Sequence, residues 1–280
     1  LKKFNLNLDI YYQPNYLKIE STLVKGEFEI FTINNKNKIF IYPYIKVGFD
    51  NEFSKYKDLI SPYGYAGPFC NDTSFFKVGE SEFIEYIKKE NIVSEFVRYH
   101  FLYNKNLRFS NNILNEHNRT NVIIDLRKEW NEILMNEVAI NNRNYLNKLE
   151  KDKFVFEICK DEKSIEKFRI LYNQTMKNVK ADKSFFFNSA YFKKLFKGLK
   201  KNVKLARIVK NKTTYAGVIF FISGDIVELF LNCRNLKHQK ISSTSALYLN
   251  IAKWAQSKGV KYLNLGGGIT KLPTDPLFKF

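Results

Sequence analysis

Residues Leu229–Gly268, LFLNCRNLKHQKISSTSALYLNIAKWAQSKGVKYLNLGGG, constrain the fold more than any other part of the chain. An apolar, ladder-like run over Ile226–Cys233 leads into a polar bend, Gln239–Thr244. The bend ends in hydroxyl residues of the kind that cap helix N-termini. Ala246, Leu247, Leu249, Ile251, Ala252, Trp254 and Ala255 then form one broad apolar face over a helix Ala246–Lys258, which Gly259 ends as a C′ residue. Val260–Leu265 reads as a short buried strand, and Gly266, Gly267 and Gly268 follow it. A strand that delivers a polar bend to a helix N-terminus builds an anion site, because the first backbone N–H groups have no intrahelical partner and the dipole is positive there. The pattern predicts a bend around Gln239, Ser242, Ser243 and Thr244 that holds phosphates, with Asn232 and Arg234 at its mouth. The three glycines predict a close backbone approach by a ligand or a neighbouring strand.

The same coarse order occurs twice. Pro14–Val24 reads as a helix, followed by Glu27–Ile33, a polar turn at Asn34–Asn37 and a strand over Lys38–Val47. Lys204–Lys210, the turn Asn211–Thr214 and the strand Tyr215–Ser223 repeat that hairpin, with β-branched and aromatic residues in both copies. EIFTINNKNKIFIYPYI and ARIVKNKTTYAGVIFFI superpose, which predicts a divergent duplication of one α+β module. Between the hairpins, helices are expected over Ser81–Glu90, Arg127–Asn141, Arg143–Lys151, Asp161–Lys177 and Asn188–Leu199, with a strand over Val93–His100. The polar stretch Asn104–Thr120 reads as a loop or lid.

Three widely spaced cysteines, Cys70, Cys159 and Cys233, with no C-x-x-C pair, speak against a disulfide framework or a zinc site and for a reducing cytoplasm. Three histidines without paired ligand spacing speak against a metal enzyme. No apolar run approaches the ~20 residues that span a bilayer, and no leader-like segment opens the chain. The net charge of +18 attracts phosphate polyanions. Of 46 basic residues, however, only 8 are Arg, the bidentate phosphate binder. A chain crowded with Lys, Asn, Ile and Phe is also what A/T-rich codons produce. Charge alone therefore does not establish a nucleic-acid partner.

Five segments, taken in order, carry a resemblance: Ser61–Pro68 (SPYGYAGP), Phe96–Leu102 (FVRYHFL), Asn142–Lys148 (NRNYLNK), Tyr172–Phe187 (YNQTMKNVKADKSFFF), and Tyr262–Gly268 with Leu277–Phe280. Together they resemble the GNAT acyltransferase superfamily. Within it they resemble the Fem-type branch, which includes peptidoglycan interpeptide-bridge transferases and acyltransferases of surface-polysaccharide clusters. The resemblance implies an α+β fold of two GNAT-like halves, a tandem duplication with mixed, largely antiparallel sheets flanked by helices. The halves are expected over 1–140 and 141–280, the second carrying the donor site. Where such enzymes carry Gln/Arg-x-x-Gly-x-Gly/Ala, this chain has Gln239-x-x-Ser242-x-Thr244, so acyl-coenzyme A and aminoacyl-tRNA both stay open as donors.

Direct acyl transfer needs an activated carbonyl, a neutral amine and donors aimed at the developing oxyanion, and no covalent enzyme intermediate. Tyr63 and Tyr65, in a bend set by two prolines and two glycines, offer hydroxyls and rings for a sugar or peptide; an ordinary turn packed on the core is the alternative. Arg98 and His100 alternate on one strand and share a face, suited to an acceptor's phosphate or carboxylate or, equally, to structural bonds. Asp182 resembles a family position facing the substrate, where it could orient an amino sugar's ammonium; a capping Asp is the alternative. The expected catalytic residues are Asp182, Tyr63 and Tyr65. The expected substrate-binding residues are Arg98, His100 and Gly266–Gly268, and the donor site comprises Asn232, Arg234, Gln239, Ser242, Ser243 and Thr244, with no metal.

The expected activity is transfer of an acyl group from acyl-coenzyme A to an amine of a sugar nucleotide or lipid-linked glycan precursor. The expected place is the cytoplasm, at the inner membrane face where the acceptor is lipid-linked, with peripheral attachment compatible with the charge. The alternatives are an aminoacyl-tRNA-dependent transferase and a non-catalytic relative that binds glycan or nucleic acid.

Overall fold

The computed structural model describes residues 4, 6–105, 107, 109, 114–238, 241, 243–268, 270, 272, 274 and 275. Gln239, Ser242 and the segment 277–280 lie outside the described residues. The chain divides into two compact units, Leu1–Glu116 and His117–Phe280. The boundary thus falls before 140/141, because the strand at 121–125 belongs to the second sheet, paired with a strand near the C-terminus.

The first unit runs α1 (Pro14–Leu23), β1 (Glu27–Asn35), β2 (Lys38–Gly48), β3 (Lys57–Ile60), β4 (Phe69–Cys70), α2 (Thr73–Lys89) and β5 (Ile92–Phe96). Its sheet order is β1-β2-β3-β5, with β4 paired to β2. All pairs are antiparallel except β3 with β5, which α2 connects. Asp72 starts α2 by accepting from the Ser74 and Phe75 N–H groups, eight residues before the apolar pattern becomes legible at Ser81. The core under α2 is aromatic: Phe40, Tyr42, Tyr44, Phe75, Phe76 and Phe83. Leu107 and Phe109, inside the stretch that reads as a lid, pack on this core, with the Phe109 ring 4.4 Å from that of Tyr99.

The second unit runs β6 (Asn121–Asp125), α3 (Trp130–Glu132) with a π-helical turn Ile133–Glu137, α4 (Ile140–Lys151), β7 (Val155–Cys159) and α5 (Glu162–Asn178). It continues with α6 (Ser189–Leu199), β8 (Val203–Lys210), β9 (Thr213–Ser223), β10 (Ile226–Arg234), α7 (Ser243–Ser257) and β11 (Tyr262–Gly267). The sheet order is β6-β11-β10-β9-β8-β7, antiparallel except for β10 with β11. Ala206, Ile208, Ala216, Val218, Phe220 and Val227 pack with α4 and α7 on one face. Gly217 lies between two of these and turns the other way, toward Phe168 of α5. The helices therefore cover both faces.

Each unit contains the same module: a hairpin, a third antiparallel strand, a crossover helix and a fourth strand parallel to the third. In the first unit the module is β1-β2-β3-α2-β5, and in the second β8-β9-β10-α7-β11. Both hairpins turn on two residues, with Lys36 at φ 52° in one, and Asn211 at φ 49° and Lys212 at φ 62° in the other. The second hairpin thus has positive φ at both loop positions and the first at its leading position, the backbone geometries that match the twist of flanking strands. The protein is α+β with two mixed sheets, as its sequence leads one to expect. Among the described residues, no helix is long and apolar enough to cross a membrane.

Candidate functional site

The two copies of the module differ where their parallel strands end. In the first unit the chain stays zipped. Ser61 N donates to Phe96 O, Arg98 N to Ser61 Oγ, Ala66 N to Arg98 O at 2.7 Å and His100 N to Ala66 O at 2.9 Å. The segment Ser61–Pro68 therefore lies along Val97–His100, with the N–H groups of Ser61, Tyr63 and Ala66 spent on protein. Tyr12 Oη donates to Gly67 O at 2.9 Å, Tyr16 Oη to Tyr63 O at 2.5 Å, and Asn104 Nδ2 to Pro68 O at 2.7 Å. Gly64 has φ 108°, and a Cβ built there would overlap the buried Tyr11 ring.

This fold gathers Tyr63, Tyr65, Arg98 and His100 into one neighbourhood. Arg98 is exposed; its Nη1 donates to Pro62 O at 3.3 Å, and its guanidinium lies 5.2 Å from the Phe96 ring centre. Tyr63 is half-buried. Burial pushes its phenol above the ordinary range, with Arg98 opposing and Glu20 adding, so it can serve as a neutral donor. Tyr65 packs edge-on against Tyr11 and Phe101. His100 is fully buried. Its Nε2 is 2.8 Å from Asp9 Oδ2, and its Nδ1 accepts from the Leu102 and Tyr103 N–H groups at 3.2 Å. Two backbone donors at Nδ1 place the proton on Nε2, facing Asp9, and both ring nitrogens are thereby occupied by protein.

In the second unit the corresponding strands separate. β10 and β11 pair only over Ile226–Glu228 with Tyr262–Asn264; beyond that, β10 continues with β9, and β11 with β6. Glu228 and Asn264, the last pair before the fork, are both buried, and Asn264 Nδ2 donates to Glu228 Oε2 at 2.7 Å. Asn264 Oδ1 accepts from Gly266 N at 2.9 Å. Replacing Asn264 with Leu should cost about 2 kcal/mol in denaturant unfolding, the cost of taking a hydrogen-bond partner from a buried polar group. A loss below ~0.5 kcal/mol would show that the pair does not hold the fork.

A bulge between Leu229 and Leu231 re-aims the rest of β10. Before it, Val227 faces α7; after it, Leu231 and Cys233 lie opposite Ile219 and Gly217, on the α5 side. Asn232 and Arg234 lie opposite Val218 and Ala216, so both are turned to the α7 face, and both are exposed. One extra residue thus flips the side chains from there on. Cys233 is buried, which pushes its thiol far above the ordinary range and removes it as a nucleophile.

α2 and α5 close their N-termini with their own Asp72 and Asp161 carboxylates, and α6 with Asn188. α7 carries no acidic residue in its first turn. Ser243 is buried with its N–H on Ile241 O at 2.8 Å, and Thr244 is half-buried. The described part of the expected donor set, Asn232, Arg234, Ser243 and Thr244, therefore shares the α7 side of the sheet, where an anion meets no carboxylate from the helix itself.

Of the three glycines that end β11 and follow it, Gly267 and Gly268 are approached by protein, and Gly266 is not. Gly266 has φ 86°, a Cβ on Gly267 would lie 3.1 Å from Arg119 Cβ, and one on Gly268 would overlap the buried Asp275 carboxylate. Arg119 Nη1 donates to Gly268 O at 2.8 Å, and Asp275 Oδ2 accepts from Thr270 N at 2.7 Å. Asp182 is exposed and opens the short turn Lys183–Phe185 by accepting from Ser184 N at 2.8 Å and Ser184 Oγ at 2.7 Å. These bonds hold its carboxyl below the usual carboxylate range, so it offers a standing negative charge rather than a proton acceptor. Among the described residues, no three His, Cys, Asp or Glu side chains are placed to share a metal ion.

Sequence reading passed over Glu228, Asn264, Arg119 and Asp275. A Glu inside IVELFLNC and an Asn inside YLNLGGG are polar residues in buried-type strands, and that contradiction is the signal that marks them.

No family model matches the sequence, and no curated protein matches it. Among solved structures the chain is similar to FemX, with a TM-score of 0.73 at 10% identity over 96% of this chain and 86% of that one. It is similar to L-PGS from Bacillus licheniformis, with a TM-score of 0.58 at 12% identity over 97% of this chain and 84% of that one. It is also similar to the C-terminal domain of a protein from Agrobacterium fabrum described as a lysylphosphatidylglycerol synthetase, with a TM-score of 0.54 at 15% identity over 89% and 74%.

Proposed function

We propose, from a fold similar to those of FemX and L-PGS, that the chain is an acyltransferase of the Fem-like GNAT kind. In this reading it moves an acyl group from acyl-coenzyme A, or a comparable activated carrier, to an amino group of a sugar nucleotide or lipid-linked glycan precursor. The observation that carries the reading is the fork in the second unit. Past Glu228 and Asn264 the two parallel strands present backbone edges that an extended, amide-bearing carrier arm can pair with. Asn232 and Arg234 on the α7 side would take its phosphates. In the transfer, the neutral amine nitrogen bonds to the carbonyl carbon, the carbon–sulfur bond of a thioester breaks, and the amine's surplus proton leaves with the thiolate. Tyr63 as a neutral donor, Tyr65 and Arg98 would hold the acceptor, and Asp182 would orient an ammonium before it is deprotonated.

Aminoacyl transfer from a charged tRNA is the second reading. It is favoured by the likenesses to FemX and to a protein described as a lysylphosphatidylglycerol synthetase, together with the charge of +18. The deciding experiment incubates the protein with amino-sugar nucleotides and either acyl-coenzyme A species or charged tRNA, and follows the acceptor's mass. A mass gain with thioester alone supports the first reading and one with tRNA alone the second. Saturable glycan binding with no mass gain from either donor overturns both.

Asp182→Asn should lower kcat/KM for an amine acceptor about tenfold, yet leave the acidic limb of the pH–rate profile in place. A carboxyl held below its ordinary value is already ionised above about pH 4. Disappearance of that limb in the variant would make Asp182 the proton acceptor instead.

A further inference from the structure

The geometry points to a second anion site in the second unit, a cavity of about 480 Å³ at the β7 edge of the sheet, built to take a phosphate or diphosphate group. Glu157 and Arg207 sit opposite each other in the β7–β8 ladder. With Val155 and Val209, two residues away along each strand, they line the cavity from one sheet face. Lys167 reaches it from α5, Lys153 from the turn before β7, and Lys210 and Lys212 from the β8–β9 hairpin. Five cationic side chains thus surround the space with one carboxylate among them. That carboxylate is already engaged: Arg207 Nη2 donates to Glu157 Oε2 at 2.8 Å.

Two further observations separate this cluster from the general lysine excess. Among the described residues, Lys153, Lys167, Lys210 and Lys212 form no ion pair, although Lys210 lies 4.8 Å from the centre of the Phe154 ring. Arg207, one of only 8 arginines, has its Nε buried with no hydrogen-bond partner. A buried N–H without an acceptor is costly, and an acceptor brought by a ligand removes that cost. A phosphate oxygen fits: Arg207 supplies the directed bond and the lysines supply compact charge from three sides.

The site lies at the same end of the sheet as the mouth of the fork. Thr214 lines the cavity, and its O accepts from Asn235 Nδ2 at 3.0 Å, while the Tyr215 ring is 4.6 Å from that of His238. Asn235 and His238, which follow β10, are therefore seated on the cavity's rim. β8 is two strands, about 10 Å, from β10. The inference stands on this cavity alone and does not depend on the transfer reading.

Calorimetric titration with pyrophosphate, at low and at physiological ionic strength, tests it. Wild-type protein should bind saturably, and Arg207→Gln should weaken binding at least ~10-fold. The double variant Lys167→Ala/Lys212→Ala, both positions exposed and free of structural bonds, should do the same with an unchanged melting temperature. Parallel sedimentation with phosphatidylglycerol and phosphatidylcholine vesicles identifies the source of the phosphate. Capture by the anionic vesicles alone, lost in the variants, assigns the site to a lipid phosphate, and pyrophosphate binding without capture assigns it to a soluble ligand. Equal behaviour of wild type and variants toward both probes overturns the proposal. So does variant-sensitive binding of RNA with no affinity for either probe, which would make the cluster part of an extended polyanion face.

Discussion

Arg234→Glu should weaken donor binding about 100-fold or more while shifting the melting temperature by less than ~2 °C. The side chain is exposed, forms no ion pair among the described residues, and is turned to the α7 side by the bulge in β10. Removing a charge-assisted bond to phosphate costs about 2–3 kcal/mol, and a carboxylate in its place adds repulsion. Each 1.4 kcal/mol is tenfold, so the sum reaches two orders of magnitude. The backbone of Arg234 interacts with Thr175 Oγ1 at 3.3 Å, which the substitution leaves intact, so the strand has no reason to move. The measurement is direct titration of the donor that the mass screen identifies. Undiminished affinity would remove Arg234 from the site and with it the significance of the bulge.

Gly64→Ala should destabilise the first unit by about 4 kcal/mol, a melting-temperature loss of roughly 10 °C or more. Two costs combine. At φ 108° an alanine is strained by about 1–3 kcal/mol, and the new methyl overlaps a ring that cannot retreat. Tyr11 is buried and packed edge-on against Tyr16 and Tyr65, so relief would have to displace those rings as well. In a Tyr11→Ala background the same substitution should cost at least ~2 kcal/mol less. Equal costs in both backgrounds would mean that the ring is not what the methyl meets.

What could be read in the residues, and what could not, follows from the range of the interactions. Hairpins and amphipathic helices are local, so the turns at Lys36 and Asn211 and the helices that begin at Asp161 and Asn188 are legible in a single sequence. The partnership of β6 with β11 is not, because Ile124 and Leu263 are 139 positions apart and nothing near either names the other. The unit boundary shifts for that reason alone. The alternation of Arg98 and His100 is visible, but not that His100 would be sealed by Asp9 from the far end of the unit. Which side of β10 carries Asn232 depends on a bulge defined by the register with β9, and an apolar run such as ELFLNC contains no mark of it.

The two versions of the module make a natural experiment in vacancy. In one, the amides past the parallel strands are consumed by SPYGYAGP; in the other, the strands simply part. A graft of that loop into the fork of the second unit would be expected to make a well-folded molecule that no donor can enter. Conversely, cutting the loop short in the first unit would be expected to free the backbone groups of Phe96–His100 that it now occupies. Occupancy by the chain's own backbone is thus what sets the first copy of the module apart from the second.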